Sequence, residues 1–133
     1  MIKLFIGGKG SGKTKTLIDL VNKAANESNG SVVCIEKGNK LKLDVTYKAR
    51  LIDTDTYTVE NSEALFGFIA GILSSNNDIT DLFVDSALKI CGNDTDAFAA
   101  LLAKLDPLAK QINIVMTASI PVEECPDAIK AYA

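Results

Sequence analysis

The chain has 133 residues, 47% hydrophobic and 23% charged, with a formal net charge of −3 and a pI near 4.9. These values fit one soluble domain spanning residues 1–133. They argue against a general affinity for DNA, RNA or anionic membranes, which needs a basic surface, but leave room for a local basic patch. Cys34, Cys91 and Cys125 are far apart and there is no histidine, so zinc spacing and histidine-based catalysis are both disfavoured. Reduced, buried thiols in a cytoplasmic protein are the plain expectation. The apolar run before the first glycines is only a strand's length, not a secretory signal, and the longest apolar stretch, 64–73, is too short to span a bilayer.

In chain order, residues 2–6 form an apolar run that stops at Gly7 and predicts a buried parallel strand. A glycine-rich loop, 7–12, follows. From Lys13 a helical period begins, with Leu17, Ile18, Val21, Ala24 and Ala25 recurring at three and four residues. Asn29-Gly30 turns the chain into a second strand, 31–36. Residues 37–48 are basic and carry the alternation Leu41, Leu43, Val45, Tyr47; they predict a loop with a short strand or helical turn. A third strand is expected at 49–53. Asn61-Ser62-Glu63 announces a helix running to about Ser75, apolar on most faces. A fourth strand, 80–85, ends in Asp85. Asn93-Asp94-Thr95-Asp96 is an N-cap cluster for a helix through Phe98, Leu101, Leu102 and Leu105, which Pro107 kinks or divides. A fifth strand is expected at 112–116, and a loop with a short terminal helix at 121–133. Alternating strands and helices predict an α/β three-layer αβα sandwich on a mainly parallel five-stranded sheet.

Residues 7–14, Gly7-Gly8-Lys9-Gly10-Ser11-Gly12-Lys13-Thr14, match G-x-x-x-x-G-K-[ST] between a strand and a helix. Glycines let backbone N–H groups approach a polyphosphate, and the helix N-terminus points its partial positive charge at the same anion. These residues, with Lys15 in the first helical turn, are the candidate phosphate cradle for ATP. Lys13 is expected to reach the β- and γ-phosphates, and the Thr14 hydroxyl to ligate Mg2+. Asp85, closing an apolar strand at the carboxyl edge of the sheet, is the candidate second metal ligand. Asp53, at the end of the third strand, is its rival.

The P-loop, the strand ending at Glu36, the Asp85-Ser86 pair and the strand ending at Thr117 resemble the P-loop NTPase core of RecA-type recombinases over about residues 1–119. The chain is also similar to small bacterial ATP-binding proteins of the P-loop class. The resemblance implies a strand order of 3-2-4-5-1. It also implies a polar γ-phosphate sensor at the end of the fifth strand, Thr117, or Ser119 if that strand is longer. In that order the first strand lies at an edge, and the 121–133 tail or a second subunit is expected to cover it.

Departures from the family bear on function. The recombinase core continues beyond its fifth strand, and these residues leave no room for DNA-binding loops, so nucleic acid is not an expected partner. Ser86 stands where many P-loop ATPases carry a glutamate. The recombinase catalytic glutamate matches Gly38; Glu36, two residues earlier, is a candidate water-positioning base or simply an acid at a strand end. Arg50, the only arginine, is a surface residue or an arginine finger. The lysines of 37–48 are expected to form a solvated loop, with a contact to phosphate or nucleic acid as the alternative. Three functions stay open: a nucleotide-dependent switch or weak ATPase, an assembly module using nucleotide structurally, and a small-molecule kinase, which the scarcity of arginine disfavours.

Overall fold

The computed structural model describes residues 1–133. Five segments pair into one sheet: β1 (Ile2–Gly7), β2 (Ser31–Glu36), β3 (Arg50–Asp53), β4 (Ile79–Val84) and β5 (Asn113–Ser119). Their pairings are all parallel, in the order β1-β5-β4-β2-β3. This is the order the resemblance implied, counted from the other edge. Parallel neighbours need crossover connections. These and the tail carry the helices α1 (Lys13–Glu27), α2 (Ser62–Ser75), α3 (Ala87–Ile90), α4 (Thr95–Leu105) and α5 (Asp127–Lys130).

Strand alternation divides the apolar residues between two faces. Leu4, Ile35, Leu82, Val84, Ile114 and Met116 face α2, α3, α4 and α5 and form the larger core. Val32, Cys34 and Phe83 face the other way, against Leu17 and Val21 of α1. The layers are therefore α1, the sheet, and the remaining helices, a RecA-like, P-loop NTPase-type arrangement. The caps hold where the sequence placed them: Asn61 accepts from the Ala64 N–H at the start of α2, and Asp94 from Ala97 at the start of α4. Pro107 ends α4 at Leu105 and opens a 3-10 turn over Asp106–Ala109.

Two elements differ from expectation, and a third decides between two alternatives. The strand β5 runs to Ser119 because Thr117, Ala118 and Ser119 pair with Phe5, Ile6 and Gly7 of β1. Helix α3, only four residues long, has no periodic signal to announce it. Residues 37–48 take the turn and not the strand: the N–H groups of Asp44 and Val45 both donate to the Leu41 carbonyl at 3.0 Å. Leu41, Val45 and Ala49 anchor this loop on the α1 face, while Leu43 and Tyr47 are exposed. Asn22 brackets the loop, donating to the Asp44 carbonyl at 2.9 Å and accepting from the Thr46 N–H at 2.8 Å.

The edge of β1 is covered by the tail. Leu4 N–H donates to the Tyr132 carbonyl at 2.9 Å, Gly7 makes an antiparallel bridge to Ile120, and Ile129 of α5 is fully buried. No helix is long and apolar enough to cross a membrane.

Gly30 sits where β2 begins beside the Asp78 carbonyl, which accepts the Ser31 N–H at 2.7 Å. A Cβ at Gly30 would collide with that same oxygen and meet Thr80 Cγ2 at 2.8 Å. Backbone on both sides of the contact gives little room to yield. Gly30→Ala should therefore cost about 1–3 kcal/mol, read as a lower midpoint in urea unfolding.

Candidate functional site

At the carboxyl edge of the sheet β1 runs into the glycine loop, and α1 begins at once. The turn between them needs Gly12 in the left-handed region, φ 87°, which a residue with a Cβ resists. Gly12 is the N-cap and offers no side-chain oxygen, and the first turn of α1 holds no acid. The opening N–H groups of this helix therefore lack the side-chain cap given to α2 and α4, and its positive end faces outward. The loop is closed on itself: Ser11 N–H donates to the Gly8 carbonyl at 3.2 Å. The Lys13 ammonium folds back onto the loop, donating to Gly8 O at 2.9 Å and to Ser11 Oγ at 3.2 Å.

Beside it, Asp85 follows the last residue of β4 and is buried. Its N–H donates to the Ile35 carbonyl at 2.8 Å. Thr14 Oγ1 donates to its Oδ1 at 3.1 Å, and Thr117 Oγ1 donates to the same oxygen at 2.7 Å. Ser86 N–H in turn donates to Thr117 Oγ1 at 2.8 Å. The structure thus joins two sequence-predicted metal ligands, Thr14 and Asp85, although they are 71 residues apart. One hydroxyl and one carboxylate suit a hard cation that takes its other ligands from phosphate and water, as magnesium does. No three His, Cys, Asp or Glu side chains cluster to hold a metal.

A cavity of about 640 Å³ opens over these groups. The P-loop side contributes Lys9, Gly10, Gly12, Lys13 and Thr14. The facing side contributes Lys40, Ser86, Lys89, Asn93 and Ser119. None of the ten is apolar and none is acidic. A groove of about 700 Å³ lies elsewhere, against Lys3, Phe5, Asp81 and Asn113. It sits toward the amino ends of the strands, whereas open α/β sheets bind ligands at the carboxyl ends.

The remaining candidates fall as follows. Ser119 lines the cavity, whereas Thr117 is buried with its hydroxyl engaged on both sides. Lys15 is exposed on α1 and does not line the cavity; Gly7, Gly8 and Ser11 shape the loop behind the lining residues. Asp53 is occupied, accepting from Gly38 N–H at 2.7 Å and Asp55 N–H at 2.9 Å. Arg50 opens β3, away from the carboxyl edge. Lys40 is one of the lysines of 37–48 for which a phosphate contact was an open alternative, whereas Lys89 was not singled out by the sequence. Lys89 lies four residues past Asp85, a spacing that becomes meaningful only with α3 in place.

Glu36 is buried at the end of β2, and its carboxylate gathers the next turn. Oε1 accepts from Lys40 N–H at 3.0 Å and from Leu41 N–H at 3.3 Å. Burial pushes its carboxyl above the usual range, helped by the nearby charges of Asp85 and Asp53 and opposed by the two backbone N–H groups. Burial, with Asp85 and Glu36 close by, likewise pushes the Cys34 thiol up to about 12. All three cysteines are free and buried.

A raised carboxyl pKa in the folded state means that Glu36 favours folding while protonated. That contribution is lost as pH rises through its folded-state value. Glu36→Gln keeps an acceptor for the two amides and removes the charge, so its melting temperature should rise relative to the parent from pH 5 to pH 8. Glu36→Ala strips the buried Leu41 amide of its acceptor and should cost about 1–3 kcal/mol at both pH values.

No known protein family matches the sequence, and no curated protein matches it. Among solved structures, C. elegans PCH-2 superimposes with a TM-score of 0.58 over 99% of this chain at 17% identity. The chain spans 33% of the length of that protein. At this identity the likeness is one of fold: a parallel α/β sheet flanked by helices, of the P-loop NTPase type.

Proposed function

We propose that residues 1–133 form one nucleotide-binding domain that takes up a nucleoside triphosphate, ATP by family default, with Mg2+, and acts as a nucleotide-dependent switch or weak ATPase. The observation that carries this is the cationic cavity over the uncapped start of α1, with Thr14 and Asp85 in hydrogen-bond contact beside it. Gly10, Gly12 and the first amides of α1, including that of Lys15, would cradle the phosphates, and Lys13 would turn from Gly8 to the β- and γ-phosphates. Thr14 and Asp85 would hold magnesium, which when bound neutralises charge between those phosphates. Ser119 is better placed than Thr117 to contact the terminal phosphate. Three buried free thiols fit a cytoplasmic setting.

Slow turnover follows from the acids. The carboxylate of Glu36 is committed to the turn after β2, and no carboxylate lines the cavity. Positioning and charge alone still support some hydrolysis. The same commitment favours a second function, in which nucleotide is bound structurally to order a partner-binding surface.

Thermal melts with ATP, GTP and their diphosphates, with and without magnesium, combined with phosphate release, test both. Stabilisation by magnesium triphosphate with slow release supports the switch or ATPase; stabilisation without release supports the structural role. No stabilisation by any nucleotide rejects both.

A further inference from the structure

Two side chains outside the P-loop motif face it across the cavity. Lys40 is carried on the turn after β2, where its own N–H is held by Glu36 and the next residue, Leu41, is buried. Lys89 is carried on α3 between the buried Leu88 and Ile90. The entry to that helix is fixed by Ser86, whose left-handed backbone, φ 58°, is pinned through its N–H to Thr117. Both lysines thus ride on anchored backbone. Neither is spent on an acid, since the one salt bridge of the chain joins Lys37 to Asp55. With Lys9 and Lys13 they place four ammonium groups around one cavity of a protein whose net charge is −3. Such a cluster focuses potential on a multiply charged anion.

The same wall offers a nucleobase no face to stack on. A purine or pyrimidine is selected by stacking on apolar or aromatic faces and by placed hydrogen bonds. The lining has no apolar residue, and Asn93 carries its one amide among four lysines, two glycines and three small hydroxyls, too little on its own to choose between bases.

We propose that the cavity recognises the polyphosphate chain and not the base, with Lys40 and Lys89 as a second bank of phosphate contacts opposite Lys13. Its ligand class is then magnesium polyphosphate, whether attached to any nucleoside or present as inorganic tripolyphosphate. The proposal rests on the P-loop assignment above.

Calorimetry at fixed ionic strength with magnesium ATP, GTP, CTP, tripolyphosphate and adenosine tests it. The three nucleotides should bind within about threefold of one another and tripolyphosphate within about tenfold of ATP, with no uptake of adenosine. Lys40→Gln and Lys89→Gln, both at exposed positions, should each weaken ATP and tripolyphosphate to the same degree, by about 3–10-fold. A preference for ATP over GTP and tripolyphosphate above about 30-fold, or two variants that bind like the parent, overturns the proposal and leaves the P-loop assignment standing. Failure of every triphosphate to bind overturns both.

Discussion

Lys13→Ala should lower the affinity for magnesium ATP by about 100-fold or more, because each hydrogen bond from an ammonium to a phosphate oxygen contributes about 1.5–3 kcal/mol. Slow phosphate release, where present, should disappear with it. The loss would not be one of folding. In the free protein Lys13 holds only Gly8 O and Ser11 Oγ, and it is partly exposed. Its truncation should therefore move the melting temperature of the ligand-free chain by no more than a few degrees, as expected for about 1 kcal/mol or less. Lys110→Ala, with the same change of charge before β5, lies toward the opposite edge of the sheet and should bind like the parent. Equal weakening by both variants would mean that general charge, and not the loop, draws the nucleotide.

Asp85→Asn should separate magnesium dependence from phosphate binding. Asparagine keeps an oxygen that can accept from Thr14 and Thr117, so the three-residue network and the position of β4 survive. The missing charge sits in a buried site, close enough to Glu36 and Cys34 to raise both of their pKa values. Removing it should leave stability at neutral pH unchanged or improved, and should lower the pKa of the Cys34 thiol toward its usual value. The cost falls on the metal. Magnesium should no longer strengthen ATP binding, and any hydrolysis should fall by about 100-fold. Titrations with and without magnesium, followed by phosphate release, measure the effect. Retention of the full magnesium effect in Asp85→Asn would move the metal away from Asp85.

Much of this architecture is legible in the chain because parallel strands buried on both faces write continuous apolar runs, and the P-loop sits at an unambiguous strand-to-helix junction. The Thr14–Asp85 pairing was foreseeable for the same reason: both residues end up at one sheet edge whatever lies between them. Less was readable where tertiary contacts override local pattern. Thr117-Ala118-Ser119 looks like a strand end, yet pairing with β1 carries the strand through it and moves the exposed hydroxyl from Thr117 to Ser119. The alternation of Leu41, Leu43, Val45 and Tyr47 left a short strand and a helical turn both open, and the contacts of Asn22 and the Glu36 carboxylate hold the turn. Lys40 and Lys89 carry no motif at all. They become part of the cavity only because those turns and α3 bring them there. Covering of the β1 edge by the tail was one of two expected solutions, and it depends on Tyr132 and Ile129, which no local signal ties to β1.

The most direct measurement is an isothermal titration of the folded, purified chain with magnesium ATP at concentrations up to about 5 mM, a range that captures even millimolar dissociation constants. The expected result is saturable uptake of one nucleotide per chain that Lys13→Ala removes. Absence of uptake across that range, or uptake indifferent to Lys13, would contradict a phosphate site at the start of α1.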